Sequence, residues 1–479
     1  GGKAVEAGAS FSWQQFEEAC KGGKKYVVVD GKVCDVGCWV GHHPGGKVLL
    51  CYVGEDATDA VSAFHRDKEL LNKYMAPIVV GQITDAKADR GIVSVPMHNE
   101  SLEKDFREVR EAARQAGLFK PNPLFFIAML LHVLALEGMG YLVLSWFCRG
   151  SEWGWAAWTA YAVAVVLLVT AQAQAGWLQH DLGHLAVFKS RYANMLAHRF
   201  VITHLKGASS GWWNYRHYLH HSKPNVSETD PDVNMPYVFV LGEGLATHWG
   251  HKQREGSAGG LRLYDWQHHY WWFIGPPLLL PIYFHYENLR YVLGNLIWGG
   301  SGLWRDSYST KRYMANGRIH FWEEFAWMLS FFLRWYFMYG PIFGWGWGWF
   351  KLYMLVRTVE SHWFVWVTQI NHIPMQVGKY ADVKARDWPS LQLAASCNVE
   401  GGLFNDWFTG HLNYQVEHHL FPTMPRHNLP KVAPMIKSLF ERHGMGDRYL
   451  TKSLYRACAD IITSLETYGK AWRHAYNEM

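Results

Sequence analysis

Two long apolar runs constrain this chain more than any other feature. Residues 124–147, LFFIAMLLHVLALEGMGYLVLSWF, and 156–177, AAWTAYAVAVVLLVTAQAQAGW, are each long enough to cross the roughly 30 Å hydrocarbon core of a bilayer as a helix. Lipid offers no hydrogen-bond partners, so backbone at that depth must satisfy itself, which a helix does. A short glycine-containing loop separates the runs and predicts a hairpin. His132 and Glu137 interrupt the first run; a carboxylate is costly in lipid, so Glu137 is expected to face protein. Further apolar segments at about 270–290, 322–342 and 343–358 are broken by Gly or Pro. They read as two more spans and one interfacial element. Residues 178–265 and 359–479 are too polar to cross. An even number of spans before each puts both on the same side as the N-terminal part.

The remainder is organised around this middle. Residues 10–82 read as a small soluble domain: KKYVVVDGKVCDV alternates and is rich in β-branched residues, with Asp30-Gly31 as a turn. Residues from Glu55 to Phe64 read as a helix. Residues 83–120 read as a polar linker followed by a charged helix over 101–117 that stops at Gly117. Residues 121–479 form the membrane part, with an amphipathic run at 428–444. The net charge of +5 carries no Lys/Arg block, which sets nucleic acid aside as a partner. Seven scattered cysteines do not make a disulfide framework and predict reduced surroundings. No secretory signal is expected, and the sequons at Asn99 and Asn225 read as chance matches.

The chemistry-bearing residues are histidines. QHDLGH supplies His180 and His184 at i, i+4; HYLHH supplies His217, His220 and His221 at i, i+3, i+4. On a helix such spacings place imidazoles on one face, within reach of one ion. With 26 His in 479 residues, such a triplet arises by chance only about 0.1 times in a chain of this length. QVEHH repeats the spacing with Gln415 in the first place, followed by His418 and His419. A Gln carbonyl oxygen can ligate a metal, as a weaker donor than imidazole. Seven His and a Gln exceed one tetrahedral zinc, so two metals sharing the ligands is the natural count. His372 in TQINH is a candidate for another imidazole. The isolated His132, His198, His204, His268, His269 and His285 read as packing or interfacial residues. Trp212 and Trp213 read chiefly as packing residues, with Asn214 a neighbour of the site. In the N-terminal domain, His43 in HHPGG and His65 at the end of the helical run flank a small apolar region, a pattern that can ligate heme iron on both faces.

DGKVCDVGCWVGHHPGG and YVGEDATDAVSAFH resemble a cytochrome b5 domain. GWLQHDLGHLAVF, HLKGASSGWWNYRHYLHHSKPN, DPDVNM, FIGPPLLLPIYF, ESHWFVWVTQINHIPM and NDWFTGHLNYQVEHHLFPTMPRHNL resemble the animal front-end fatty acyl-CoA desaturases, over nearly the whole chain. The resemblance implies a multi-domain fold: a small α+β heme domain, then an all-α membrane domain with about four transmembrane helices and a cytosolic helical cap over a di-iron site. It implies two non-heme irons at His180, His184, His217, His220, His221, His372, Gln415, His418 and His419, and heme b at His43 and His65. No catalytic residue beyond the iron ligands is implied. Gln is characteristic of the first place of the QVEHH motif in this family, so Gln415 is no sign of a dead site.

The activity implied is insertion of a cis double bond between an existing double bond and the carboxyl end of a polyunsaturated fatty acyl-CoA. O2 would be co-substrate and NADH-cytochrome b5 reductase the electron donor. His362 in ESHWFVWVTQ points to Δ6, with Δ5 and Δ8 as alternatives, and a b5-fused sphingolipid desaturase or fatty-acid hydroxylase further behind. The expected location is the endoplasmic reticulum membrane, multi-pass, with both termini cytosolic. A non-catalytic heme or lipid-binding protein could keep His43 and His65 but would have no need of the eight further metal-type residues, and a zinc hydrolase would be expected to carry an H-E-x-x-H motif.

Overall fold

The computed structural model describes residues 8–43, 45–84, 99–150, 153–235, 237–298, 317–379 and 386–478. Most of the polar segment expected as a linker, residues 85–98, lies outside the described residues. The N-terminal domain is a four-stranded sheet with short helices. Its strands β1 (Ala9–Phe11), β2 (Tyr26–Val29), β3 (Lys32–Asp35) and β4 (Val79–Ile83) lie in the order β1-β4-β3-β2. Asp30 and Gly31 join β2 to β3 with φ of 49° and 75°, the left-handed pair that a two-residue hairpin demands. Helix α1 (Trp13–Lys21) begins at a capping box, with Ser12 and Gln15 each satisfying the other's backbone N–H. Helix α2 (Thr58–Phe64) ends at His65, and α3 (Lys68–Met75) leads back to the sheet. The helical reading from Glu55 begins three residues early, because Asp56 caps Thr58 N–H at 2.9 Å.

Helix α4 (Glu100–Gln115) starts at Asn99, whose side chain accepts from Leu102 N, and stops before Gly117 at φ 74°. It buries Leu102, Phe106 and Ala113, and Phe106 stacks on Phe421 at 5.4 Å. Its polar face reaches the N-terminal domain: Arg107 and Arg110 both hold Asp59 of α2 at 2.9 Å.

Helices α5 (Pro123–Phe147) and α6 (Trp155–Gly183) pack along each other and are the two helices, among the described residues, with both the length and the apolar composition of spans. At 25 and 29 residues they run to about 37 and 43 Å. Next come α7 (Arg191–His198), a π-helical stretch, α8 (Ser210–Ser222) and α9 (Glu243–Arg254). The apolar 270–290 segment is α10 (Gln267–Leu278) running into α11 (His285–Trp298) through a π-helical turn at Leu279–Phe284. It follows Pro276 and Pro277, which lack the N–H of a regular helix. Helices α12 (Gly317–Phe343) and α13 (Trp347–Gln369) have the length of spans but carry charges. Several of those charges are paired inside the bundle: Arg334 with Glu137, and Arg357 and Lys206 with Glu360, while Lys351 is exposed. Glu137 therefore faces protein, as its cost in lipid requires.

The C-terminal part is α14 (Trp388–Ala395), α15 (Leu403–Thr409), α16 (Gln415–Leu420), α17 (Leu429–Arg442) and α18 (Leu454–Asn477), with a short parallel pair of strands at Asn398–Val399 and Thr451–Lys452. Helix α18 runs along α9; Gly469 lies against the Tyr264 carbonyl, where a Cβ would come within 2.4 Å. All seven cysteines are free. Asn225 is buried, with φ of 57°, and its amide donates to the His372 carbonyl at 3.0 Å, so that sequon cannot accept a glycan without unfolding.

Candidate metal centre

Three helix ends converge. Helix α6 closes with His180, and His184 caps it. Helix α8 begins at Ser209, whose hydroxyl accepts from Trp212 N at 3.1 Å, and carries His217, His220 and His221. Helix α16 carries Gln415, His418 and His419; it is seated by Glu417, which accepts from Tyr449 OH at 2.6 Å and Asn398 Nδ2 at 2.9 Å. His372 follows α13 in a turn.

The histidines fall into two groups. The first is His180, His184, His217, His221 and His418; the second is His220, His372 and His419. The one-face reading of HYLHH is thereby corrected. At 100° per residue, neighbouring His220 and His221 diverge by about a quarter turn and serve different groups, while His217 and His221 stay together. His418 and His419 divide in the same way.

In the first group Nε2 atoms lie 2.8 Å apart between His184 and His217, 3.1 Å between His217 and His180, 3.1 Å between His217 and His221, and 3.0 Å between His221 and His418. Adjacent ligands of an octahedral ion, with metal–nitrogen bonds of about 2.1 Å, stand about 3.0 Å apart, whereas tetrahedral ones stand about 3.4 Å apart. The spacing and the number of imidazoles both fit an octahedral ion better than a structural zinc. Burial first, and neighbouring imidazoles second, hold His217, His221 and His418 far below the usual histidine range. They are neutral, with lone pairs available to a cation.

In the second group each ring is oriented from behind. His220 Nδ1 meets Asp230 at 2.8 Å, His372 Nδ1 meets the Ala395 carbonyl at 2.9 Å, and His419 Nδ1 meets Gln392 Oε1 at 3.0 Å. Each partner can only accept a hydrogen bond, so each Nδ1 carries the hydrogen and each Nε2 turns a lone pair inward. Burial lowers His220, but Asp230 outweighs it and holds that ring above its ordinary value. The Gln415 amide lies 2.8 Å from His372 Nε2. Gln415 Oε1 and His419 Nε2 are buried with no hydrogen-bond partner among the described residues. Converging lone pairs and orphaned acceptors are the surroundings a cation completes.

All nine residues expected as ligands thus stand in or beside these two groups. Asp230, Gln392, Asn398 and Glu417, which orient them, escaped the sequence reading. Asp230 lies in the DPD stretch that follows HYLHH, the one local signal; the others are placed by contacts across the fold.

An apolar cavity of about 90 Å³ lies beside the first group, lined by Gln179, Trp212, Trp213, Leu280, Phe284 and Phe364 among others. Trp213 joins cavity and site, stacking on His217 at 4.2 Å. It fits because residue 183 is glycine: a Cβ there would lie 2.2 Å from the indole. Trp213 therefore walls the site as well as packing. His198, read as a packing residue, is buried beside it and bonded to Gln179 at 2.8 Å.

In the N-terminal domain the His43 and His65 rings stand 5.9 Å apart, centre to centre. Two metal–imidazole bonds of about 2 Å plus two ring radii give roughly 6 Å, so the pair fits one iron between them. His65 Nδ1 donates to the Val61 carbonyl at 2.8 Å, which leaves its Nε2 to ligate; His43 Nδ1 accepts from Gly45 N at 3.1 Å.

Residues 153–451 match the family model for fatty acid desaturases, well over half of the chain. The chain belongs to the fatty acid desaturase family. Residues 12–84 of this desaturase match the model for cytochrome b5-like heme/steroid binding domains. It is an oxidoreductase of lipid chains with a fused b5-like domain, which points to heme at the N-terminus and to iron at the histidine groups.

Proposed function

We propose that this desaturase is a front-end fatty acyl-CoA desaturase of the Δ6 type. It would place a cis double bond between an existing one and the carboxyl end, with O2 as co-substrate. Electrons would come from NADH through cytochrome b5 reductase and the chain's own b5 heme. The observation that carries the reading is the pair of imidazole groups set for two ions, with an apolar cavity beside the first group across Trp213. The Δ6 assignment rests on His362 and the sequence resemblance.

Methylene C–H bonds are far too weakly acidic for any side-chain base. Two irons, held by His180, His184, His217, His221 and His418 on one side and by His220, His372, His419 and Gln415 on the other, would supply the oxygen chemistry that removes the hydrogens. The chain's own residues do the rest. Asp230, Gln392 and the Ala395 carbonyl keep Nε2 lone pairs inward. Trp213 closes the cavity against His217, so a lipid chain lying in the cavity meets the site across one ring. The apolar lining excludes water and holds the chain by burial, about 0.8 kcal/mol for each methylene.

The membrane placement follows the same reading. Four spans, α5, α6, α12 and α13, with Arg334, Arg357 and Glu360 of the last two paired inside, would put the histidine groups, the b5 domain and both termini on the cytosolic face of the endoplasmic reticulum. The deciding experiment is expression in yeast fed separately with linoleic, α-linolenic, eicosadienoic and dihomo-γ-linolenic acids. Double-bond positions are then read by gas chromatography–mass spectrometry. A new Δ6 bond in the eighteen-carbon acids is expected. A Δ5 bond in dihomo-γ-linolenic acid keeps front-end chemistry and overturns Δ6; no new bond, in protein carrying heme and iron, overturns the substrate.

A further inference from the structure

The b5-like domain sits on the desaturase through contacts from several segments. Lys223, directly after α8, pairs with Glu55 at 2.7 Å, both buried, and its ammonium lies 4.5 Å from the centre of the Tyr52 ring. Tyr52 OH donates to the Ser222 carbonyl at 2.6 Å, Thr423 Oγ1 to the Ala63 carbonyl at 3.1 Å, and Arg66 to the carbonyls of Leu185 and Phe119 at 3.0 and 2.9 Å. A buried ion pair is costly to break from one side, so these contacts hold one docked arrangement against a freely swinging domain.

At the centre of this contact stands Phe64. It is the last residue of α2 and the covalent neighbour of His65. Its ring meets the His221 ring edge-on at 6.4 Å, Tyr218 at 6.2 Å and Trp388 at 6.1 Å. His221 is central to the first imidazole group, and Trp388 belongs to α14, which also carries the Gln392 that orients His419. One aromatic side chain therefore bridges the heme-side histidine and a histidine of the metal site.

We propose that Phe64 is the positioning residue that couples the b5 domain to the metal centre, so that electrons cross within a single chain along His65, Phe64 and His221. The proposal rests on the reading that the b5 heme is the electron donor. In each crossing one electron leaves ferrous heme, which becomes ferric, and reduces one ferric ion on the His221 side to ferrous. NADH, through its reductase, refills the heme. Two crossings, two protons and the two hydrogens taken from the lipid chain convert one O2 to two waters.

The test uses the full-length protein loaded with heme and iron. The heme is reduced without oxygen, then mixed with oxygenated buffer and acyl-CoA, and its reoxidation is followed in the Soret band. Phe64→Leu is expected to slow reoxidation by about tenfold or more, with heme spectrum, midpoint potential and iron content unchanged. Phe64→Tyr is expected to restore the rate. Wild-type reoxidation in Phe64→Leu, or equal slowing in both variants, overturns the bridge. Lys223→Ala, which leaves Phe64 in place but removes the docking pair, is also expected to slow reoxidation; a wild-type rate there overturns fixed docking. His65→Ala separates the underlying reading: with reductase and no other heme protein present, product formation in this variant would overturn the heme as donor, whatever Phe64 does.

Discussion

In the five-histidine group, the Nδ1 atoms of His184 and His221 have no hydrogen-bond partner among the described residues, whereas in the three-histidine group every Nδ1 is tied to a carboxylate, an amide or a carbonyl. The first group is positioned by crowding. Its rings lean on one another, on Trp213 and on Phe64, with ring centres 4.2 to 6.4 Å apart. The second, with fewer imidazoles and an amide, is positioned by directed hydrogen bonds. The contrast shows two routes to rigid ligands: many rings that hold each other, or few rings held from behind.

That contrast can be broken in order of expected effect. His221→Ala removes the donor between His217 and His418 and opens the crowd; desaturation should fall below detection and iron per chain should drop, measured by elemental analysis and product chromatography. Asp230→Asn leaves His220 in place but weakens its anchor. Loss of such an outer partner costs about 10–100-fold in metal affinity or activity, read by iron retention against a graded chelator. Gln392→Leu removes the anchor of His419 without touching a charge, so it should fall at the lower end of that range, about tenfold. Gln415→His supplies a fourth imidazole to the sparser group and should have the smallest effect, with iron content unchanged. If Gln415→His instead costs as much as Asp230→Asn, the amide is no mere stand-in for imidazole.

Much of this arrangement is written in local patterns. The i, i+3, i+4 spacings, the Asp30-Gly31 turn and the apolar run of α5 all depend on neighbours along the chain, and each appears in the structure where the pattern puts it. The partition of HYLHH was legible too, since 100° per residue separates His220 from His221, but the reading of one shared face overlooked it. The anchors were not legible. Gln392 reaches His419 across 27 residues, and Glu55 reaches Lys223 across 168. Such pairings arise from the fold rather than from any period in the sequence. The charges of α12 and α13 disguise their buried faces for the same reason: Arg334 reads as polar until Glu137, 197 residues away, is brought beside it.

Helix α8 supplies ligands to both groups, and so does α16. Inserting a single residue between His217 and His220 would rotate the later pair by 100° and deprive both centres at once. A shift of register in either helix is therefore felt by both candidate metal positions together. A substitution at His220 or at His221, by contrast, touches one group and leaves the other's imidazoles in place.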